Sequence, residues 1–161
     1  MKILPPRRSR KRQIALSLLV AASATLALSG CTSSVSLEAA PDANNPLCAE
    51  ITVRLPQQLG GVNKRVTDAQ ATGAWGEPAA IIVRCGLPEV DASTLKCVTV
   101  ENVDWLVDPS KAPNYRFITF GRNPATEVIV NSKRVAGVDV LTDLALPVQN
   151  IPANRTCTAV G

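Results

Sequence analysis

The amino-acid sequence predicts an α+β domain with a mostly antiparallel sheet of about five strands, flanked by an N-terminal and a C-terminal helix. Three observations predict this fold class. Apolar residues recur at helical spacing near both ends of residues 46–161, and short apolar or β-branched runs follow one another between them. Four cysteines in the same region are available for two disulfides. A region of this length supports one domain with one core.

Residues 1–30 have the features of a bacterial lipoprotein signal peptide. Six Lys or Arg residues precede Ile14–Leu28, an apolar stretch that carries no charge. The stretch suits a secretory signal and is shorter than the roughly 20 residues of a membrane-spanning helix. Residues 28–31, LSGC, resemble the lipobox, so we expect cleavage before Cys31 and lipid on its thiol. An uncleaved anchor helix is the alternative.

The basic character of the chain is concentrated in this leader. Six of the 17 basic residues precede Cys31, whereas all 13 acidic residues follow it, which leaves a formal net charge of −2 after cleavage. No basic patch remains to neutralise phosphates, so nucleic acid is not a predicted partner. The predicted location is the outer face of the cytoplasmic membrane, held there through the lipid.

The cysteines downstream of Cys31 are an even set, as expected for disulfides in an exported chain. We predict Cys85–Cys97, close in sequence across a hairpin, and Cys48–Cys157, which would tie the ends of the domain together. A four-thiolate metal site is the alternative, but the chain has no C-x-x-C pair. Two disulfides are therefore preferred over a metal site.

The first elements after the lipidated cysteine are a tether and a helix. Residues 31–45 are small and polar, which is typical of a flexible tether. Asn45-Pro46 predicts a helix start, with an N-cap followed by proline at the first position. Leu47, Ile51 and Leu55 recur every four residues, although the β-branched run at 51–53 leaves a strand open.

Five strand-like runs follow the first helix. They are residues 80–85, 95–100, 103–107, 115–120 and 127–130. Glu101-Asn102 has the spacing of a two-residue hairpin turn between the second and third runs. Asn131 or Ser132 then caps a predicted helix from about Val135 to Leu146. Its predicted buried stripe consists of Val138, Leu141, Leu144 and Ala145.

Three residues are candidates for an exposed contact surface. Trp75 lies between glycines before a core strand, where it would form a stacking platform or else plug the sheet edge. Alternation places Trp105 and Asp104 on opposite faces of their strand, so that one of them faces solvent. Arg122 lies in a turn, GRNP, where it would hold a carboxylate or remain solvated.

The charged residues offer one catalytic alternative. The chain has no histidine, which excludes Ser-His-Asp and Cys-His catalysis and all His-ligated metal sites. A carboxylate-dependent hydrolase would instead use a pair among Glu77, Asp104 and Glu127. Arg84, inside an apolar strand, requires a charge partner, for which Glu77 and Asp104 are the candidates.

Two further patterns suggest ligands only weakly. Asp139 and Asp143 lie one helical turn apart, an arrangement that two solvated acids explain as well as a bound cation. No P-loop or G-x-G-x-x-G motif is present, so no nucleotide cofactor is predicted.

Four short motifs together resemble the small exported actinobacterial proteins grouped as domain of unknown function 3515. They are AWGEP at 74–78, RCG at 84–86, VDW at 103–105 and FGRNP at 120–124. The likeness covers roughly residues 48–146. It implies a lipoprotein or secreted domain of the cell envelope, and it implies no activity and no catalytic residues.

The sequence thus predicts a lipid-anchored envelope protein that acts as a non-catalytic binding or accessory module. Trp75, Trp105 and Arg122 form its predicted contact surface. A cell-wall component or another envelope protein is the predicted partner, and no cofactor or metal is expected.

Overall fold

The fold is built on one antiparallel sheet, seen in a computed structural model that describes residues 33–157. The predicted signal peptide, the lipobox and Cys31 lie outside these residues. The eight strands are β1 (Gln58–Leu59), β2 (Val62–Arg65), β3 (Thr72–Trp75), β4 (Ile81–Leu87), β5 (Lys96–Val100), β6 (Val103–Asp108), β7 (Asn114–Thr119) and β8 (Ala125–Asn131). Their spatial order is β1-β2-β3-β4-β8-β7-β6-β5. Two four-stranded meanders are therefore joined where β4 pairs with β8.

The strand count predicted from the sequence is wrong, although the α+β class and the antiparallel sheet are confirmed. The five predicted runs correspond to β4–β8, and the three strands before Ala80 were missed. β1 has only two residues, β2 is largely polar, and β3 contains glycine and alanine. None of the three carries the β-branched, alternating pattern that identifies a strand.

The hairpin predicted at Glu101-Asn102 is confirmed. These two residues connect β5 to β6 and have φ angles of 47° and 60°. A two-residue turn of this kind needs left-handed backbone at both positions, because only then does its twist match that of the strands. Asparagine accepts this conformation more readily than most residues.

Helix α1 (Pro46–Thr52) begins where the sequence predicts. The side chain of Asn45 accepts a hydrogen bond from the backbone N–H of Leu47, and Pro46 occupies the first turn. Within the helix, the side chains of Cys48 and Ile51 are buried. The cap and the proline together explain a stable start for a helix of only seven residues.

Helix α2 (Gly137–Val148) differs from its prediction in its start and in one residue of its buried stripe. Ala136 precedes it without a side-chain cap, so the caps predicted at Asn131 and Ser132 are wrong. Val138, predicted to be buried, is 61% exposed. The buried side of α2 consists of Val140, Leu141, Leu144, Ala145, Pro147 and Val148. Leu141, Leu144 and Ala145 of the predicted stripe are thus confirmed.

Both helices cover the same face of the sheet. The core between the layers includes Trp75, Val83 and Trp105 from the strands, and Ile51 and Leu144 from the helices. We call the opposite face of the sheet the outer face. No helix among the described residues has the length and apolarity required to cross a membrane.

The two disulfides are present, but their predicted pairing is wrong. Cys48 is bonded to Cys85 and Cys97 to Cys157, with Cα–Cα distances of 5.5 and 5.9 Å. Because β8, β7 and β6 lie between β4 and β5 in the sheet, Cys85 and Cys97 belong to distant strands. Cys85 instead faces α1, which packs against β4. Cys97 lies on the outer face, where the C-terminal segment that carries Cys157 passes.

Part of the predicted tether lies against the domain. Val35 forms a β-bridge with Thr67, and the backbone N–H of Leu37 donates to the Asp68 carboxylate at 2.9 Å. Further along, Ala40 is buried. The segment thus follows the domain surface from residue 35 onward.

Candidate functional site

The residues predicted as a contact surface are buried, so that prediction is wrong. Trp75 and Trp105 have no exposed surface, and Arg122 is only 5% exposed. The indole N–H of Trp75 donates to the carbonyl oxygen of Pro56 at 3.0 Å, and Lys64 Nζ lies 5.9 Å from its ring centroid. Trp75 is therefore a packed residue, as the alternative proposed, but it lies in the core on the interior strand β3 and not at a sheet edge.

Arg122 holds the C-terminal segment in place. Its Nη1 donates to the carbonyl oxygen of Ile151. Burial lowers the pKa of Arg122, and the nearby charge of Asp104 acts in the opposite direction. Asp104 also accepts a hydrogen bond from the backbone N–H of Cys157 at 2.7 Å. These groups connect the C-terminal segment to β6, and the burial of Arg122 keeps it from forming an exposed contact surface.

The three carboxylates predicted as a hydrolase pair have separate partners. Glu77 pairs with Arg65. Asp104 accepts from the Thr99 hydroxyl at 2.6 Å as well as from Cys157. Glu127 binds two arginines. The prediction that Arg84 pairs with Glu77 or Asp104 is accordingly wrong.

The central feature of the outer face is a cluster of Arg84, Glu127 and Arg116. Arg84 Nε and Nη2 lie 2.6 and 2.5 Å from Glu127 Oε1, and Arg116 Nε lies 2.5 Å from Oε2. Glu127 is 1% exposed, whereas the side chains of Arg84 and Arg116 are 27% and 36% exposed. A buried carboxylate is thus compensated by two partly solvated guanidinium groups.

Strand register brings these three side chains together. Arg84 on β4 is the direct partner of Glu127 on β8, which is in turn the direct partner of Ile118 on β7. Arg116 lies two residues before Ile118 and therefore on the same face. Valines and aromatic residues alternate with them and point toward the helices.

A concave pocket of about 280 Å³ opens beside this cluster. It is lined by Arg84, Asp108, Ser110, Lys111, Asn114, Arg116, Glu127 and Ile129. The segment between β6 and β7 forms one wall, and the sheet forms the floor. We call it the outer-face pocket. Three of its lining side chains are cationic and two are anionic, so its formal charge is +1.

Several hydrogen-bond donors of the outer-face pocket have no hydrogen-bond acceptor in the part of the chain that the structure describes. Arg116 uses Nε for Glu127, and its Nη1 and Nη2 make no hydrogen bond to residues 33–157. The exposed ammonium group of Lys111 likewise has no ion-pair partner there. Arg84 differs, because its Nη1 contacts the Glu38 carbonyl oxygen at 3.4 Å.

The surroundings of Asp108 favour its charged, carboxylate form. The Ser110 side chain and backbone lower the pKa of Asp108, with smaller contributions from Arg116 and Lys111. Its Oδ1 accepts from the Ser110 backbone N–H at 2.9 Å. The pocket therefore presents fixed charges of both signs and a positive balance.

The structure offers no metal centre within residues 33–157, where no three acidic or cysteine side chains come together as ligands. Asp143, half of the acidic pair predicted on the last helix, accepts from the Gly60 backbone N–H at 3.3 Å. Asp139 and Asp143 are both exposed. This agrees with the interpretation of a solvated helix face.

The outer-face pocket could not be predicted from the sequence, because its residues come from segments that are far apart along the chain. The one local signal is on β7, where Arg116 alternates with Tyr115 and Phe117 and therefore faces away from the core. The pairing of β4 with β8 could not be deduced from local pattern. Without that pairing, Arg84 and Glu127 have no visible relationship.

These features define a disulfide-braced α+β domain with a mixed-charge pocket on the face of its sheet opposite the two helices. The chain belongs to the family described as "Protein of unknown function (DUF3515)", whose sequence model matches residues 13–156. The family resemblance noted from the sequence motifs is thereby confirmed. No curated protein and no solved structure gives a significant match to the chain.

Proposed function

We propose that this protein is an exported, lipid-anchored binding module of the cell envelope, without catalytic activity, and that the outer-face pocket is its ligand site. The observation that carries the proposal is the arrangement around Glu127. Both oxygens of its carboxylate are occupied by arginines, while Arg116 and Lys111 keep donors that no described residue uses.

This arrangement favours binding over chemistry. A general acid or base must reach the proton that it transfers within hydrogen-bonding distance. Glu127 already accepts from Arg84 and Arg116 at 2.5–2.6 Å, so it acts as an internal counter-ion. The remaining cations are suited to hold a ligand rather than to exchange protons with it.

The proposed anchor is Cys31, which follows the lipobox-like residues 28–30. Because Val35 already bridges Thr67, only three residues, 32–34, lie between the proposed lipidated Cys31 and the folded domain, which is four Cα–Cα steps. A fully extended chain of this length spans at most about 14 Å. The proposal therefore places the domain directly above the lipid surface, with little freedom to move away from it.

The binding site is tested by crosslinking in intact cells. Ser110, at the rim of the pocket, and Thr142, exposed on α2, are replaced in turn by a photoreactive amino acid. We expect a discrete crosslinked product from position 110 and none from position 142, because α2 covers the other face of the sheet. Equal products at both positions, or none at either, would contradict a ligand site at the pocket.

The anchor is tested separately by metabolic labelling with a clickable fatty acid. We expect the label on the wild-type chain, attached at a mature N-terminus that is Cys31. The Cys31→Ser variant should lose the label. Mature protein with an unmodified Cys31 would contradict the anchoring part of the proposal while leaving the binding part untouched.

A further inference from the structure

We infer that the outer-face pocket recognises a carboxylate group of its ligand, with Arg116 and Lys111 as the groups that bind it. This inference rests on the proposed function, because it names the ligand chemistry of the same site. It is derived from the geometry of the cluster, from the local charge and from the size of the pocket.

The buried Glu127 fixes the orientation of Arg116. Its Oε2 accepts from Arg116 Nε at 2.5 Å, and Glu127 is itself held by Arg84. This leaves the two terminal nitrogens of Arg116, which have no hydrogen-bond partner among residues 33–157; Asp108, opposite Arg116 on β6, interacts with it only through its charge. A guanidinium group presents parallel N–H bonds that match the two oxygens of a carboxylate. Prior fixation of the side chain reduces the entropy lost when a ligand binds.

The charge of the pocket limits the charge of the ligand. Lys111 and the two arginines contribute three positive charges, whereas Asp108 and Glu127 contribute two negative ones. One negative charge on the ligand would neutralise the site. A dianion such as a phosphate monoester would instead approach Asp108 with an excess charge, and like-charge proximity is unfavourable.

The size of the pocket indicates what part of a ligand it holds. Its volume of about 280 Å³ lies just below the range of about 300–1,000 Å³ that is typical of small-molecule pockets. It therefore accommodates a terminal group and a few adjoining atoms. Two sources supply such a group, namely a small free carboxylic acid and the C-terminal carboxylate of a peptide.

The test is an NMR titration of the full chain in detergent micelles, in which the amides of residues 110–114 and the Arg Nε–H signals are followed. The probes are acetate, acetamide, inorganic phosphate, an N-acetylated dipeptide and the C-terminal amide of that dipeptide. We expect shifts at residues 110–114 with acetate and with the free-acid dipeptide, and none with the two amides. Tighter binding of the dipeptide than of acetate identifies a peptide terminus as the source, and equal binding identifies a small acid.

Matched lysine variants establish which group is responsible. Lys111→Met removes one donor from the pocket and should weaken acetate binding about tenfold, as expected for loss of one charge-assisted contact. Lys133→Met removes an exposed lysine outside the pocket and should leave binding unchanged. Arg116→Lys keeps the charge but removes the two parallel donors, and it should also weaken acetate binding.

Three results would overturn the inference. They are equal binding of the amides, tighter binding of phosphate than of carboxylates, and equal effects of Lys111→Met and Lys133→Met. If crosslinks form at position 110 although carboxylates do not bind, the ligand class is wrong and the proposed function stands. If carboxylates bind to the purified chain although no crosslink forms at position 110 in cells, the proposed function fails instead.

Discussion

Arg84 and Glu127 lie directly opposite each other on β4 and β8, at the one place where the two meanders of the sheet meet. Arg84 Nε donates a hydrogen bond of 2.6 Å to Glu127 Oε1. A buried charge is costly unless it is paired. Because Arg84 reaches Glu127 only when β4 pairs with β8, the buried carboxylate favours the correct pairing of the two meanders. The same contact also positions the donors of the proposed ligand site.

Neutralising Glu127 should destabilise the domain. We expect Glu127→Gln to lower the free energy of unfolding by about 2 kcal/mol, less than the 3–5 kcal/mol typical of a fully buried pair, because both arginines are partly solvated. Chemical denaturation measures the change. Glu50→Gln is the control, since Glu50 and Arg54 form an exposed pair one helical turn apart and should change stability by less than about 0.5 kcal/mol. Equal effects of the two substitutions would contradict a structural role for the cluster.

Local signals in the sequence were sufficient for several elements. Asn45-Pro46 predicted the start of α1, and the spacing around Glu101-Asn102 predicted the β5–β6 hairpin. Both features depend on backbone preferences of two or three neighbouring residues. Such preferences are present in the sequence itself and require no knowledge of distant contacts.

Contacts between residues that are far apart along the chain could not be predicted from local sequence signals. Arg84 pairs with Glu127, 43 positions away, because β4 adjoins β8. Cys97 pairs with Cys157, 60 positions away, because the C-terminal segment returns to the β5–β6 edge of the sheet. Trp75 was open to two interpretations, since glycines on both sides suit an exposed platform and a tightly packed edge equally. Only the position of α1 and the carbonyl of Pro56 decide in favour of burial.

The absence of a side chain at Gly121 should be essential for packing the C-terminal segment around Arg155 against the domain. Gly121 has φ +67°, and a Cβ atom there would lie 2.1 Å from the carbonyl oxygen of Arg155. We expect Gly121→Ala to cost about 3 kcal/mol or more, from left-handed backbone strain together with the clash. Gly61→Ala is the control, because Gly61 has φ +79° and no atom within 4 Å of the added Cβ. It should cost about 1–2 kcal/mol from backbone strain alone. Equal losses in thermal or chemical unfolding would show that Arg155 does not press against Gly121.

The two disulfides should differ in their reactivity toward a soluble thiol. Cys48 and Cys85 are buried, whereas Cys97 and Cys157 are partly exposed. Thiol–disulfide exchange requires access to a sulfur atom, so mild reduction under native conditions should open Cys97–Cys157 first. Alkylation followed by peptide mass spectrometry identifies the cysteines that react. In denaturant, where both bonds are accessible, the difference should disappear. Earlier alkylation of Cys48 and Cys85 in the native protein would contradict the burial seen here.

The attachment of the N-terminal segment should depend on pH through Asp68. Hydrogen bonds from the Leu37 backbone and then from the Ser36 side chain lower the pKa of Asp68 below its unfolded value of about 3.9. A carboxylate whose pKa is lowered by folding stabilises the folded state above the unfolded pKa, and this contribution is lost as the pH falls through the folded value. The Leu37 amide signal should therefore shift with a midpoint below about 3.9. Asp68→Asn should abolish that transition and leave the amide of Leu37 less protected from hydrogen exchange at neutral pH. A midpoint at or above the unfolded value, or an unchanged transition in Asp68→Asn, would mean that Asp68 does not hold residue 37 against the domain.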